Sequence, residues 1–194
     1  MTLLVLGLVL FLGAHSVRIV AEDWRTAMVA RLGANGWKGA FSVVSIAGFV
    51  LIVVGFGQAR LAPTLLWVPP VWMRHLAALL NLAALVLLVA AYVPGNHIKA
   101  RLGHPMVLAV KVWAFAHLVS NQMLAETILF GAFLVWAVLD YRAARARDHA
   151  AAGPAPAPGR PGPTLVTIAA GAGLWAVLAF WAHAALFGVS PFGF

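Results

Sequence analysis

Residues 104–122 read HPMVLAVKVWAFAHLVSNQ, an apolar run with no acidic residue that nevertheless carries His104, Lys111 and His117. A run of this length and hydropathy reads as a membrane-spanning helix, which needs roughly 20 mostly apolar residues. Ionisable side chains are costly to keep there, so the stretch marks both the fold and a candidate site. Pro105 suits the first helical turn, where its missing N–H would be unpaired anyway, so His104 falls at the N-cap. His104 and Lys111 share a face, whereas His117 lies about 220° around the same helix from His104. The two histidines are therefore given different roles. His117 shares its own face with Trp113 and Asn121, four residues before and after it.

The whole chain has the same character. Of 194 residues 63% are hydrophobic and 9% charged, far outside the soluble range and diagnostic of an integral membrane protein. The net charge of +8, from 13 Lys and Arg against 5 Asp and Glu, raises the question of nucleic acid. The basic residues answer it, because they cluster in short loops between apolar runs, where they set topology and contact anionic lipid. The expected partner is the lipid bilayer, with no nucleic acid. The absence of cysteine excludes disulfides, thiolate metal sites and Cys nucleophiles.

Six spans are expected, at residues 2–20, 38–57, 71–93, 105–121, 122–141 and 164–189. The first lacks a basic leader and a small-residue cleavage site, so it is read as a retained helix rather than a signal peptide. Loop one opens with Glu22 and Asp23, repeats Trp24, Met28 and Leu32 at four-residue spacing, and stops across Gly33 and Gly36. That pattern predicts a short interfacial helix. The fourth and fifth spans meet at Ser120, Asn121 and Gln122, which predicts a tight hairpin, with a single kinked helix as the alternative. The fold class is an all-α polytopic transmembrane bundle of about six helices. It divides into a core of five helices (1–142), a Pro/Ala-rich linker (143–163) that will not pack a core, and a sixth helix with the C-terminus (164–194), which belongs to the same domain. Ten of the thirteen basic residues fall in odd-numbered loops and their edges, leaving Arg60, Arg74 and Lys111. The positive-inside rule then puts odd-numbered loops in the cytoplasm and both termini outside.

His15 and Arg18 are one turn apart late in the first helix. Either His15 ligates a metal or haem iron while Arg18 holds an acidic group such as a propionate, or His15 bonds a neighbouring helix and Arg18 snorkels to headgroups. His117, embedded and flanked by aromatics, is the better axial-ligand candidate, since neutral imidazole is the commonest metal ligand. Singly, a buried histidine bonded across helices is the commoner arrangement. Lys111 requires a partner, and Glu126 is the nearest acid in sequence. His183 is a further candidate for a haem pocket or proton relay. His97, Lys99, Arg101 and His104 on a cytoplasmic loop are candidates to hold an anionic cosubstrate. No phosphate loop, HExxH, close carboxylate pair or nucleophile elbow occurs.

Four stretches carry a resemblance: FLGAHSVRI (11–19), LGANGWKGAFSVVSIAGFVLI (32–52), AAYVPGNHIKARLGHPMVLAVKVWAFAHL (90–118) and GAFLVWAVLDYR (131–142). Together they resemble the NnrU family of bacterial membrane proteins along nearly the whole chain, the linker excepted. The resemblance implies residence in the bacterial cytoplasmic membrane and support of nitrite and nitric oxide reduction in denitrification, with nitrogen-oxide respiratory proteins as partners. The chain is also similar to the 15-cis-zeta-carotene isomerase, a membrane protein with haem b. There a histidine of the first helix and the later histidine of an HP-x(11)-H pattern hold the iron, which implies His15 and His117 here, with Arg18, Trp113 and Asn121 around the cofactor. The isomerase has a cysteine three residues before the later histidine, and Ala114 stands in its place. Two further readings stay open. One is a haem-dependent isomerase of an apolar polyene. The other is a membrane methyltransferase similar to isoprenylcysteine methyltransferases, in which His104, Lys99 and Arg101 would matter.

Overall fold

The computed structural model describes residues 1–151 and 157–192, and most of them are helical. Among the described residues the only β pairings are two isolated bridges. Five helices are long and apolar enough to cross a membrane: α1 (Thr2–Val20), α2 (Glu22–Ala59), α3 (Trp72–Tyr92), α6 (Leu124–Ala150) and the run Pro161–Phe187. A sixth apolar helix, α5 (Pro105–Ser120), is shorter. Large apolar side chains such as Val9, Val43, Ile46, Leu79 and Leu165 point outward. The buried positions are mostly alanine, among them Ala77, Ala84 and Ala90 of α3 and Ala109, Ala114 and Ala116 of α5. Small residues inside and large apolar ones outside is the distribution a lipid solvent favours, because helices then associate by close packing rather than by escape from water.

The helices form two compact units. The first comprises Met1–Trp67 and Gln122–Asp140, the second Val68–Asn121 and Tyr141–Phe194. In the first, α1 packs along α2, and Leu4, Leu8, Ile52, Ala59 and Ala125 make a buried cluster. Three glycines permit the approach: a Cβ on Gly7 would meet the backbone of Leu51 and Ile52, one on Gly48 that of Phe11, and one on Gly55 that of Leu3 and Leu4. The interfacial helix of loop one is present, since Gly33 (φ 72, ψ 163) breaks α2. Only that one residue leaves the helix, however, so the helix resumes at once and no loop separates it from the span. Glu22 at the start of α2 pairs with Arg18 (3.6 Å) and Arg25 (3.0 Å). Loop two is pinned by backbone bonds from Leu66 N–H to Gln122 O and from Leu124 N–H to Thr64 O, each 2.9 Å. Residues 121–123 are non-helical, so α5 and α6 are separate helices rather than one kinked rod.

In the second unit α3 packs against both α5 and α7 (Pro161–Val177). Loop three contains the short helix α4 (His97–Leu102), whose N-cap Asn96 is 1% exposed. Its side chain accepts from Lys99 N–H (2.7 Å) and donates to Ala90 O (2.9 Å) and Val93 O. Beyond α7 a π-helical turn (Leu178–Ala182) leads into α8 (His183–Phe187), which ends at Gly188 in the left-handed conformation (φ 68). The stretch expected as a linker differs from its reading at both ends. Helix α6 continues to Ala150, because AARARDHA is rich in strong helix formers, and α7 already begins at Pro161. Between them, Arg160 N–H donates to Gly95 O (2.8 Å) and Gly159 lies against the backbone of Asn96 and His97. The linker reading of residues 152–156 lies outside the described residues.

Candidate functional site

In α5, Pro105 occupies the first turn and His104 the N-cap, as its sequence requires. His104 does not cap the helix with its side chain; its Nε2 meets Asp148 Oδ2 at 2.9 Å, and Arg145 approaches the same oxygen at 3.3 Å. Tyr141 packs edge-on to the His104 ring and its hydroxyl donates to Leu102 O (3.2 Å). The His104–Arg101 region is thus an ion-paired helix junction. Lys99 Nζ donates to Ala91 O at 2.8 Å, Arg101 is exposed, and Lys111 is half-buried in mid-helix. The carboxylate of Glu126, sought as a partner for Lys111, accepts from the N–H groups of Gln122 (3.0 Å) and Met123 (2.9 Å) and so caps its own helix.

His117 sits one turn from the end of α5. Its Nδ1 lies 2.8 Å from the carbonyl of Trp113, and the two rings are 5.2 Å apart. A carbonyl only accepts, so Nδ1 carries the proton and the ring presents the Nε2 lone pair. Asn121 does not continue the face of His117. It is the extended C-cap, and its N–H donates to His117 O at 2.9 Å.

His15, in the first unit, repeats this local arrangement. Its Nδ1 donates to Phe11 O at 2.7 Å, again placing the lone pair on Nε2. The ring stacks on Phe11 (4.3 Å) and meets Phe41 (4.9 Å) and Trp136 (6.0 Å) edge-on. Phe11, four residues back, is legible from helical spacing; Phe41 and Trp136 come from other helices and leave no local sequence signal. The Trp136 Nε1 is buried with no hydrogen-bond partner among the described residues. Arg18, expected at an acidic cofactor group, has Glu22 beside it.

His183 comes directly after the π turn. Its Nδ1 donates to Val189 O at 2.7 Å, so it too presents Nε2. Sequence reasoning missed Asp148, Arg145, and the anchor of His97, whose N–H donates to Thr164 Oγ1 at 3.0 Å while its Nδ1 lies 2.9 Å from the same oxygen. Among the described residues no three or more His, Cys, Asp or Glu side chains gather as a metal cage. Haem needs only axial ligands from the protein, and metal-bound imidazole characteristically has its other nitrogen bonded to a carbonyl or carboxylate. His15, His117 and His183 all fit that donor chemistry.

These features define an all-helical polytopic membrane protein whose polar chemistry is concentrated in imidazoles held from the backbone. The model of the NnrU protein family matches residues 3–191, and the chain belongs to that family. The match runs through the stretch between α6 and α7 as well. No curated protein and no solved structure matches the chain.

Proposed function

We propose that this NnrU-family membrane protein binds haem b, that His117 would hold its iron, and that the protein supports nitrite and nitric oxide reduction in the bacterial cytoplasmic membrane. Odd-numbered loops are cytoplasmic and both termini outside, in keeping with the placement of the basic residues. The observation that carries the reading is the Nδ1–H bond of His117 to Trp113 O, which fixes the tautomer a haem ligand requires and raises its basicity. A bound haem would supply redox and small-ligand chemistry at its iron. The chain's residues hold the imidazoles, exclude water with apolar and aromatic neighbours, and so set the potential. The test is an absorption spectrum of the detergent-purified full chain, with and without added haem. A Soret band that His117→Ala abolishes is expected; a stable, full-length protein that stays colourless after haem addition sinks the proposal.

One observation favours a second reading, isomerisation of an apolar polyene. An open groove of about 520 Å³ runs along the first unit between α1 and α6, lined by Leu8, Leu12, Gly13, Val135, Trp136 and Leu139. Against it stands Ala114, fully buried where the isomerase carries its thiol. Conversion of a cis polyene by the haem-loaded protein would establish this reading. No feature favours the methyltransferase, because His104 and Lys99 are occupied within the fold.

A further inference from the structure

The second unit, residues 68–121 and 141–194, contains eight Lys and Arg but a single acidic residue, Asp148. His104 and Arg145 already occupy that carboxylate, at 2.9 and 3.3 Å. Six of the basic residues, Lys99, Arg101, Arg142, Arg145, Arg147 and Arg160, lie at one end of the unit, where α4, the start of α5, the end of α6 and the start of α7 come together. Tyr141 Oη donates to Leu102 O at this end, and Arg160 N–H to Gly95 O. Arg101 and Arg142 are exposed there and make no ion pair among the described residues.

Lys111 lies below this end, inside the span. It follows Pro105 by six residues, about 9 Å along α5. It is half-buried, and among the described residues it makes no hydrogen bond or ion pair. Residues 152–156 and 193–194 carry no acidic side chain, so the second unit has no carboxylate side chain left to serve as its counter-ion. A cation kept in a membrane span on those terms marks a site whose partner comes from outside the helices. Long side chains on a helix lean back over the preceding turn, which here brings the ammonium toward the basic end. Phe115, one turn further into the span, is exposed, so this strip of α5 is open to acyl chains.

We propose that Lys111 binds the phosphate of an anionic phospholipid, beneath the basic end of the second unit and with the acyl chains along α5 at Phe115. Cations above, an ammonium at the headgroup boundary and an apolar strip below match such a lipid from head to tail. A zwitterionic lipid would bring its own ammonium to a surface already in excess of positive charge, so an anionic headgroup is selected. The site differs from the general attraction of basic loops to lipid in depending on one half-buried side chain, and it is independent of the haem reading.

The experiment uses the full chain, purified in mild detergent and washed, with retained lipid measured by native mass spectrometry. Phosphatidylglycerol, phosphatidylcholine and inorganic phosphate are then added singly and the thermal midpoint followed. The wild type should retain an anionic phospholipid and gain in midpoint with phosphatidylglycerol but not with phosphatidylcholine. Lys111→Met should lose both the lipid and the gain, and so should Lys111→Gln, which keeps the test open if the methionine variant folds poorly. Lys111→Arg should keep both, as should Arg31→Gln, which removes an exposed cation of the first unit. Retention in the neutral Lys111 variants equal to wild type, or an equal loss in Arg31→Gln, overturns the site in favour of unspecific lipid contact. An equal gain with inorganic phosphate overturns the lipid as its source. A wild-type chain that neither retains anionic lipid nor responds to it overturns the proposal outright.

Discussion

His104 and Asp148 stand forty-four residues apart in sequence, and the imidazole Nε2 of one lies 2.9 Å from the carboxylate of the other. The hydrogen bond from His104, reinforced by Arg145, holds the Asp148 carboxyl below the usual carboxylate range. A carboxyl depressed by folding stabilises the fold above its unfolded-state value, and that contribution disappears as pH falls through the folded one. It is therefore fully present at pH 7 and absent in strong acid.

Asp148→Asn should accordingly lower the thermal midpoint at neutral pH by a small amount, since the pair is solvent-exposed and screened. The difference from wild type should close as pH drops below the carboxylate range, and should also narrow in high salt. Thermal scans in one detergent at several pH values check this. A difference that persists undiminished in acid would mean that Asp148 acts through packing rather than charge.

Packing of α1 on α2 makes a sharper demand at Gly55, where a Cβ would drive into the backbone of Leu3 and Leu4. Neither backbone is free to move far within the cluster of Leu4, Leu8 and Ile52. Gly55→Leu should destabilise the first unit by about 1–3 kcal/mol, the usual cost of overpacking. Gly57→Ala, whose Cβ meets nothing within 4 Å, should instead be neutral or gain some of the roughly 1 kcal/mol by which alanine exceeds glycine in helices. Equal effects at the two positions, measured by denaturant or thermal unfolding, would contradict the close-approach account.

How much of the fold and site is legible in the sequence depends on the range of each interaction. Helical period alone pairs His117 with Trp113, and Gly33 announces the break in α2 because only glycine enters that backbone conformation cheaply. The spans are legible because bilayer thickness sets their length. The reach of α6 beyond Tyr141 is not, since a helix that leaves the membrane has no hydropathy edge to announce its end. Asp148 escapes notice for that reason, and with it the partner of His104. Phe41 and Trp136 reach His15 only through helix packing, and the π turn just before His183 arises in LAFWA, which has no proline or glycine to signal it.

Loop three depends on Asn96, whose one side chain caps α4 and holds two carbonyls at the end of α3. At 1% exposure no water replaces those bonds. Asn96→Ala should cost about 1–3 kcal/mol, combining a lost cap with unsatisfied buried carbonyls. Asn96→Asp keeps the acceptor for Lys99 N–H but loses the donors, and it brings a charge against two carbonyl oxygens, so it should do no better than alanine. Hydrogen exchange across residues 93–102 is the sensitive readout, with faster exchange confined to this loop. An aspartate variant as stable as wild type would show that the cap alone matters.

The indole of Trp175 ties α7 to α3 through Ala78 O, a carbonyl already bonded within its own helix by the ordinary ladder. The added bond is therefore a second one to the same oxygen, and Trp175→Phe removes it while keeping most of the apolar contact. Polar bonds between membrane helices average about 0.6 kcal/mol and reach about 1.7. Trp175→Phe should fall in that range, whereas Trp175→Ala adds a cavity and should cost about 3–5 kcal/mol. Thermal unfolding of both variants in one detergent checks this, and a phenylalanine variant as costly as the alanine one would contradict the small worth given to the bond.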